Sequence, residues 1–189
     1  MPDTKYCYPG SDVLINKLDI RDIDKLCIFE RKLTTIRLLE LLDKPIDGKF
    51  DLKHLQDIHA YIFQDLYGWA GKIRIVNIAK GNMFCNVNFL LNQADIIFSE
   101  LKNEHYLIGM SKDVFITRLA YYLSEINALH PFREGNGRSQ REFIRLLAMK
   151  NGYFIHFDRI SKDEMILASE KSFFCDYKDI EQIIAKCIE

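Results

Sequence analysis

The chain has 189 residues, 48% of them hydrophobic and 28% charged, with a formal net charge of −1 at pH 7. That length suits a single domain spanning residues 1–189, and the apolar share suits a packed core. The charge balance offers no overall basic field, so direct nucleic-acid binding is not expected, and no apolar run approaches the length of a membrane span. The five cysteines (Cys7, Cys27, Cys85, Cys175 and Cys187) are odd in number and form no CxxC pair. They point to reduced thiols and a cytoplasmic setting rather than a disulfide frame. The opening, with Asp3 and Lys5 close to a proline, does not read as a secretory leader.

Residues 1–20 read as irregular, with a turn at Tyr6-Cys-Tyr-Pro-Gly10. Asp22 is placed to cap a helix running to about Leu42, with Leu26, Phe29, Leu33, Ile36, Leu39 and Leu42 expected inward. Pro45, Asp47 and Gly48 end that unit. Asp51 then caps a second helix with Leu55, Ile58, Ile62 and Phe63 inward. His54 and His59 on this helix are five apart and do not share a face as a metal-binding pair would; they read as surface or core histidines. Gly68-Trp-Ala-Gly71 breaks the helix. Lys72-Ile-Arg-Ile-Val-Asn-Ile78 alternates polar with apolar, which predicts a strand. Lys80-Gly81-Asn82 is a turn, and Met83 to Val87 could form the return strand. Such a hairpin must lie against the helices, because two strands alone are unstable. Its free edge could pair with an extended peptide. Helices follow at about 89–103 and 112–128, the second with Phe115, Leu119, Tyr122, Leu123 and Ile126 inward.

The stretch from His130 to Arg141, His-Pro-Phe-Arg-Glu-Gly-Asn-Gly-Arg-Ser-Gln-Arg, concentrates the chemistry. Glycine costs about 1 kcal/mol inside a helix relative to alanine, so Gly-Asn-Gly reads as a loop opening onto a new helix. A helix N-terminus presents unpaired N–H groups and the positive end of the helix dipole. With glycines allowing close approach, this suits a phosphate. Arg138 and Arg141, three apart, share a face and can grip phosphate oxygens. Glu134 can hold Mg²⁺, which favours one or two carboxylates plus substrate phosphates. His130 is a base whose ordinary pKa lies near neutrality. The next helix runs from about Gly137 to Lys150, with Phe143, Ile144, Leu147 and Ala148 inward. Arg145 extends its basic face; a further phosphate contact is one reading, and a solvent salt bridge is the expected one. Asn151-Gly152 caps this helix, and two more are expected near 161–172 and 176–187.

These residues match the Fic (filamentation induced by cAMP) signature, His-x-Phe-x-Asp/Glu-Gly-Asn-Gly-Arg-x-x-Arg, at every specified position. Tyr8-Pro-Gly-Ser-Asp-Val-Leu14 also resembles the opening of many short Fic proteins. The resemblance implies an all-α, mostly helical bundle with one short β-hairpin flap, and transfer of AMP from ATP to a hydroxyl side chain of a target protein. It gives His130 the role of general base, places Phe132 in the core as an anchor and puts Mg²⁺ on Glu134. Gly135, Asn136 and Gly137 become the anion hole, while Arg138 and Arg141 hold the outer phosphates. Residues 73–87 become the flap, with Lys80, Gly81, Asn82, Met83 and Phe84 docking the target.

Many Fic proteins carry an inhibitory Ser/Thr-x-x-x-Glu-Gly/Asn helix whose glutamate pairs with the second motif arginine, here Arg141. No glutamate of this chain fits that pattern. The chain therefore resembles stand-alone Fic toxins, which implies a small antitoxin supplying a glutamate near Arg141 and a bacterial type II topoisomerase as target. Two other readings use the same scaffold: transfer of phosphate or another nucleotide part, and a non-enzymatic binding module. Phosphate-transferring relatives carry Lys where this chain has Gly137, and a binding module would be expected to lack His130 or Glu134.

Overall fold

The computed structural model describes residues 5–189; residues 1–4, at the start of the irregular opening, lie outside the described residues. The described chain is mostly helical. Helix α1 spans Ile23–Asp43, α2 Leu52–Phe63, α3 Leu90–Asn103, α4 Lys112–Leu129, α5 Asn136–Lys150, α6 Lys162–Ser172 and α7 Lys178–Cys187. A two-residue hairpin, β1 Ala79–Lys80 and β2 Asn82–Met83, pairs antiparallel with Ala79 opposite Met83. Helix α4 packs on α3, α5 and α7, and α5 packs on α2 and α4. The loop between α4 and α5 is therefore framed on several sides.

The expected helix starts have side-chain causes. Asp22 accepts from the Lys25 N–H and Asp51 from the His54 N–H, so each satisfies an otherwise orphan donor. Ser161 and Glu164 form a reciprocal capping box on α6. At the end of α5, Gly152 takes φ 81° and the Tyr153 N–H returns to the Ala148 carbonyl. The inward positions expected on α2, α4 and α5 are all buried.

Three expectations are corrected. On α1, Phe29, Ile36, Leu39 and Leu42 are exposed, while Leu26, Thr34 and Leu41 are buried. The helix turns a partly polar face toward α2 and α5: Arg37 forms a two-pronged pair with Asp65 and also reaches Glu40. The alternating stretch 72–78 forms no strand. Its main chain bonds elsewhere, the Arg74 N–H to the Pro131 carbonyl and the Ile75 N–H to the Tyr6 hydroxyl. Arg145 is also more enclosed than a solvent pair: it binds Glu142, which is 4% exposed, and the Leu41 carbonyl.

Candidate active site

His130 is the C-cap of α4 and takes a left-handed conformation, φ 47° and ψ 60°. Its N–H returns to the Ile126 carbonyl at 3.1 Å, and Pro131 prevents the helix from continuing. The imidazole Nδ1 lies 3.2 Å from the Asn127 carbonyl. A carbonyl accepts only, so Nδ1 carries the proton and Nε2 is left with a free lone pair. Phe84, from the leg of the hairpin following β2, stacks on the ring with centroids 3.6 Å apart. Burial, with smaller contributions from the Lys80 and Arg74 charges, pushes the His130 pKa down to about 4. The ring is therefore neutral and able to accept a proton at neutral pH.

The loop after it is held by the core. Phe132 is fully buried and stacks on His59 at 3.9 Å. The Gly71 N–H donates to His59 Nδ1, so the Nε2–H donates to the Glu134 carbonyl at 2.9 Å. His59 is a core histidine that fixes this loop, and burial takes its pKa down to about 4. The Asn136 side chain closes a second clamp: its Oδ1 accepts from the Phe132 N–H and its Nδ2 donates to the Phe132 carbonyl. Asn136 thus uses its side chain on the loop and leaves only its main chain to face a ligand. Gly135 is the N-cap of α5 at φ 81°, and a Cβ there would sit 2.1 Å from the Phe63 ring. No other residue type fits without displacing α2. Because glycine offers no capping side chain, the first-turn N–H groups of α5 stay open.

Charge is arranged around that opening. Glu134 accepts from the Gly135 N–H, and Lys80 on β1 stands 3.7 Å from its other oxygen. Burial alone would raise its pKa, but Lys80, the Gly135 N–H, Arg138 and His130 together hold it below the usual carboxylate range. An ionised carboxylate with one exposed edge is a hard oxygen donor, so the residues present fit Mg²⁺.

The two arginines differ. Arg138 is already held: Glu30 of α1 pairs with it at 2.5 Å, Thr34 accepts from it at 3.0 Å, and it lies over the Phe63 ring. Tyr67 donates to the other Glu30 oxygen. Arg141 has no carboxylate or hydrogen-bond partner among the described residues, and burial followed by repulsion from Arg138 lowers its pKa. Its guanidinium lies 3.2 Å from where a Gly137 side chain would begin.

The structure thus brings His130, Glu134, Gly135, Gly137 and Arg141 to one end of α5, with Lys80 and Phe84 laid over them. Glu30, Phe63, His59 and Arg74 also serve this region without having been singled out for it. Arg74 stood on the polar side of an alternating run, where solvent exposure is the ordinary expectation.

The Fic/DOC family profile matches residues 49–148, more than half of the chain. The chain belongs to the Fic/DOC family. It is 44% identical over 170 residues to the protein adenylyltransferase VbhT of Bartonella schoenbuchensis, an alignment covering 89% of this chain but 36% of that protein. The chain thus spans about a third of VbhT. It is 34% identical over 184 residues to the probable protein adenylyltransferase Fic of Escherichia coli K12, covering 97% of this chain and 91% of that one. In three dimensions it is similar to the N-terminal Fic domain, with bound ADP, of a putative cell filamentation protein from Bartonella quintana. The TM-score is 0.93 at 26% identity, over 98% of this chain and 94% of that one.

Proposed function

We propose that this Fic protein is an adenylyltransferase that moves AMP from ATP to a hydroxyl side chain of a target protein. The observation that carries the reading is Arg141, a partly buried cation without a counter-charge among the described residues, beside the open N-terminus of α5. Such a group calls for an anion, and a polyphosphate fills both needs. His130 Nε2 takes the proton as the target hydroxyl attacks the α-phosphorus, and pyrophosphate leaves as the P–O bond to it breaks. The main-chain N–H groups of Asn136 and Gly137 would face the charge that builds on the phosphate, while Arg138, tethered by Glu30, borders the same site. Glu134 would hold Mg²⁺, which supplies charge neutralisation between the phosphates when bound. The hairpin leans over the base, and Lys80 to Phe84 are positioned to dock an extended target segment along its edge.

The finer partners follow from the resemblance and two features of the molecule. An antitoxin glutamate would complete Arg141, and the exposed apolar face of α1 is a surface such a protein could cover. Bacterial type II topoisomerases are the first targets to assay, and the setting is the cytoplasm. Transfer of phosphate instead of AMP is disfavoured because Gly137, where phosphate-transferring relatives carry Lys, leaves room beside Arg141 for the α-phosphate to reach the nucleophile.

The test is incubation of the protein with a bacterial lysate and ATP labelled on either the α- or the γ-phosphate, followed by mass spectrometry. Label from the α-position alone, an added AMP on an identified peptide and loss of both in His130→Ala are expected. Transfer of the γ-label overturns the reading in favour of phosphate transfer. Binding of protein partners with no label from either position leaves a docking module.

A further inference from the structure

Arg74 is among the largest fully buried side chains, 1% exposed. A buried cation is ordinarily matched by a carboxylate, because taking it out of water costs several kcal/mol, on the order given for a single ion. Every hydrogen bond of this guanidinium instead goes to a main-chain carbonyl. Nε donates to His130 at 2.8 Å, Nη1 to Val76 at 2.8 Å, and Nη2 to Cys85 at 2.5 Å and Leu129 at 3.4 Å. Two of these acceptors are the last carbonyls of α4, at the negative end of its dipole, which suits a cation. The other two lie on opposite legs of the hairpin. The main chain adds to the connection: the Arg74 N–H reaches the Pro131 carbonyl, and the Cys85 N–H reaches the Ala128 carbonyl.

His130 needs such support. A left-handed backbone costs a residue with a Cβ about 1–2 kcal/mol and survives where its surroundings impose it. That conformation aims the imidazole under Phe84 and toward the end of α5. Were the His130 carbonyl to lose its Arg74 donor, the peptide could rotate and carry the ring with it.

Resting on the adenylyl-transfer reading, we infer that Arg74 is a positioning residue for the base. It staples the left-handed turn at His130 to both legs of the flap, so that imidazole and target-docking edge keep a fixed relation. Lysine would retain the charge but, as a compact point donor, could not bridge these four carbonyls.

The experiment compares wild type with Arg74→Lys and Arg74→Gln. ATP binding is measured by calorimetry, and transfer from [α-³²P]ATP to lysate protein is measured per calorimetrically counted ATP site. The rate at saturating ATP should fall about 100-fold, the scale of an ångström-sized misplacement. The ATP dissociation constant should stay within about twofold, because Arg74 touches neither α5 nor its arginines. A rate per site within about threefold of wild type in either variant overturns the inference, on the scale of ordinary proximity effects. So does parallel loss of ATP binding and transfer, which would make Arg74 a general fold residue. If the wild-type protein itself transfers no α-label, it is the adenylyl-transfer reading that fails.

Discussion

Helices α1 and α5 both flank the catalytic loop, yet they are built on opposite plans. In α5 the inward positions Phe143, Ile144, Leu147 and Ala148 are fully buried, and apolar periodicity reports burial faithfully. In α1 Leu26 is buried, but Phe29, Ile36, Leu39 and Leu42 of the periodic apolar residues face outward, while Glu30 and Thr34 turn inward to hold Arg138. The difference shows that α5 is fastened by the core, whereas α1 is fastened in part by the charges of the site. A helix that serves a site this way leaves apolar surface uncovered, and its hydrophobic pattern then marks the outside.

The largest effect is expected where the loop meets the core. Phe132→Ala removes a ring stacked on His59 and should lower stability by about 3–5 kcal/mol, read from urea unfolding. A loss below about 1 kcal/mol would mean the loop is not anchored as α5 is.

Next comes pH. His130 and His59 both have pKa values depressed from 6.5 to about 4. Between those values the unfolded chain binds protons that the folded one does not, so stability falls as pH drops from 6.5 toward 4 and is fully present above 6.5. Each histidine can contribute about 3 kcal/mol to that loss. His130→Ala should remove roughly half of the pH dependence; unchanged dependence would show the ring is not buried in solution.

Glu30→Gln tests the α1 contact. It keeps the shape but removes the charge facing Arg138, and should cost about 1–3 kcal/mol of stability. It should also alter the ATP affinity, since Arg138 borders the proposed nucleotide site. If neither changes, α1 is not tied to the site. The smallest effect is expected on its outer face: Leu39→Ser should shift stability by no more than about 0.5 kcal/mol. A loss as large as that of a core leucine would show that this face is covered in the free protein.

The helices of this protein, their caps and the catalytic loop were legible in the order of its residues. Caps such as Asp22, Asp51 and Ser161 act over three or four positions, and the core faces of α2, α4 and α5 repeat with the helical period, so local spacing carries them. The grouping of the candidate site residues was legible for a similar reason: His130 through Arg141 lie within two turns' reach of one helix start. What tertiary structure decided is which groups are already occupied. Glu30 meets Arg138 across 108 positions and Arg74 meets the His130 carbonyl across 56, separations at which no local period constrains a partner. The same nonlocal packing drew the main chain of residues 72–78 away from strand pairing, turned Phe29, Ile36, Leu39 and Leu42 of α1 to solvent and left Arg141 without a counter-charge among the described residues. Those outcomes depend on which surfaces the folded helices bring together, a choice made by the whole core at once.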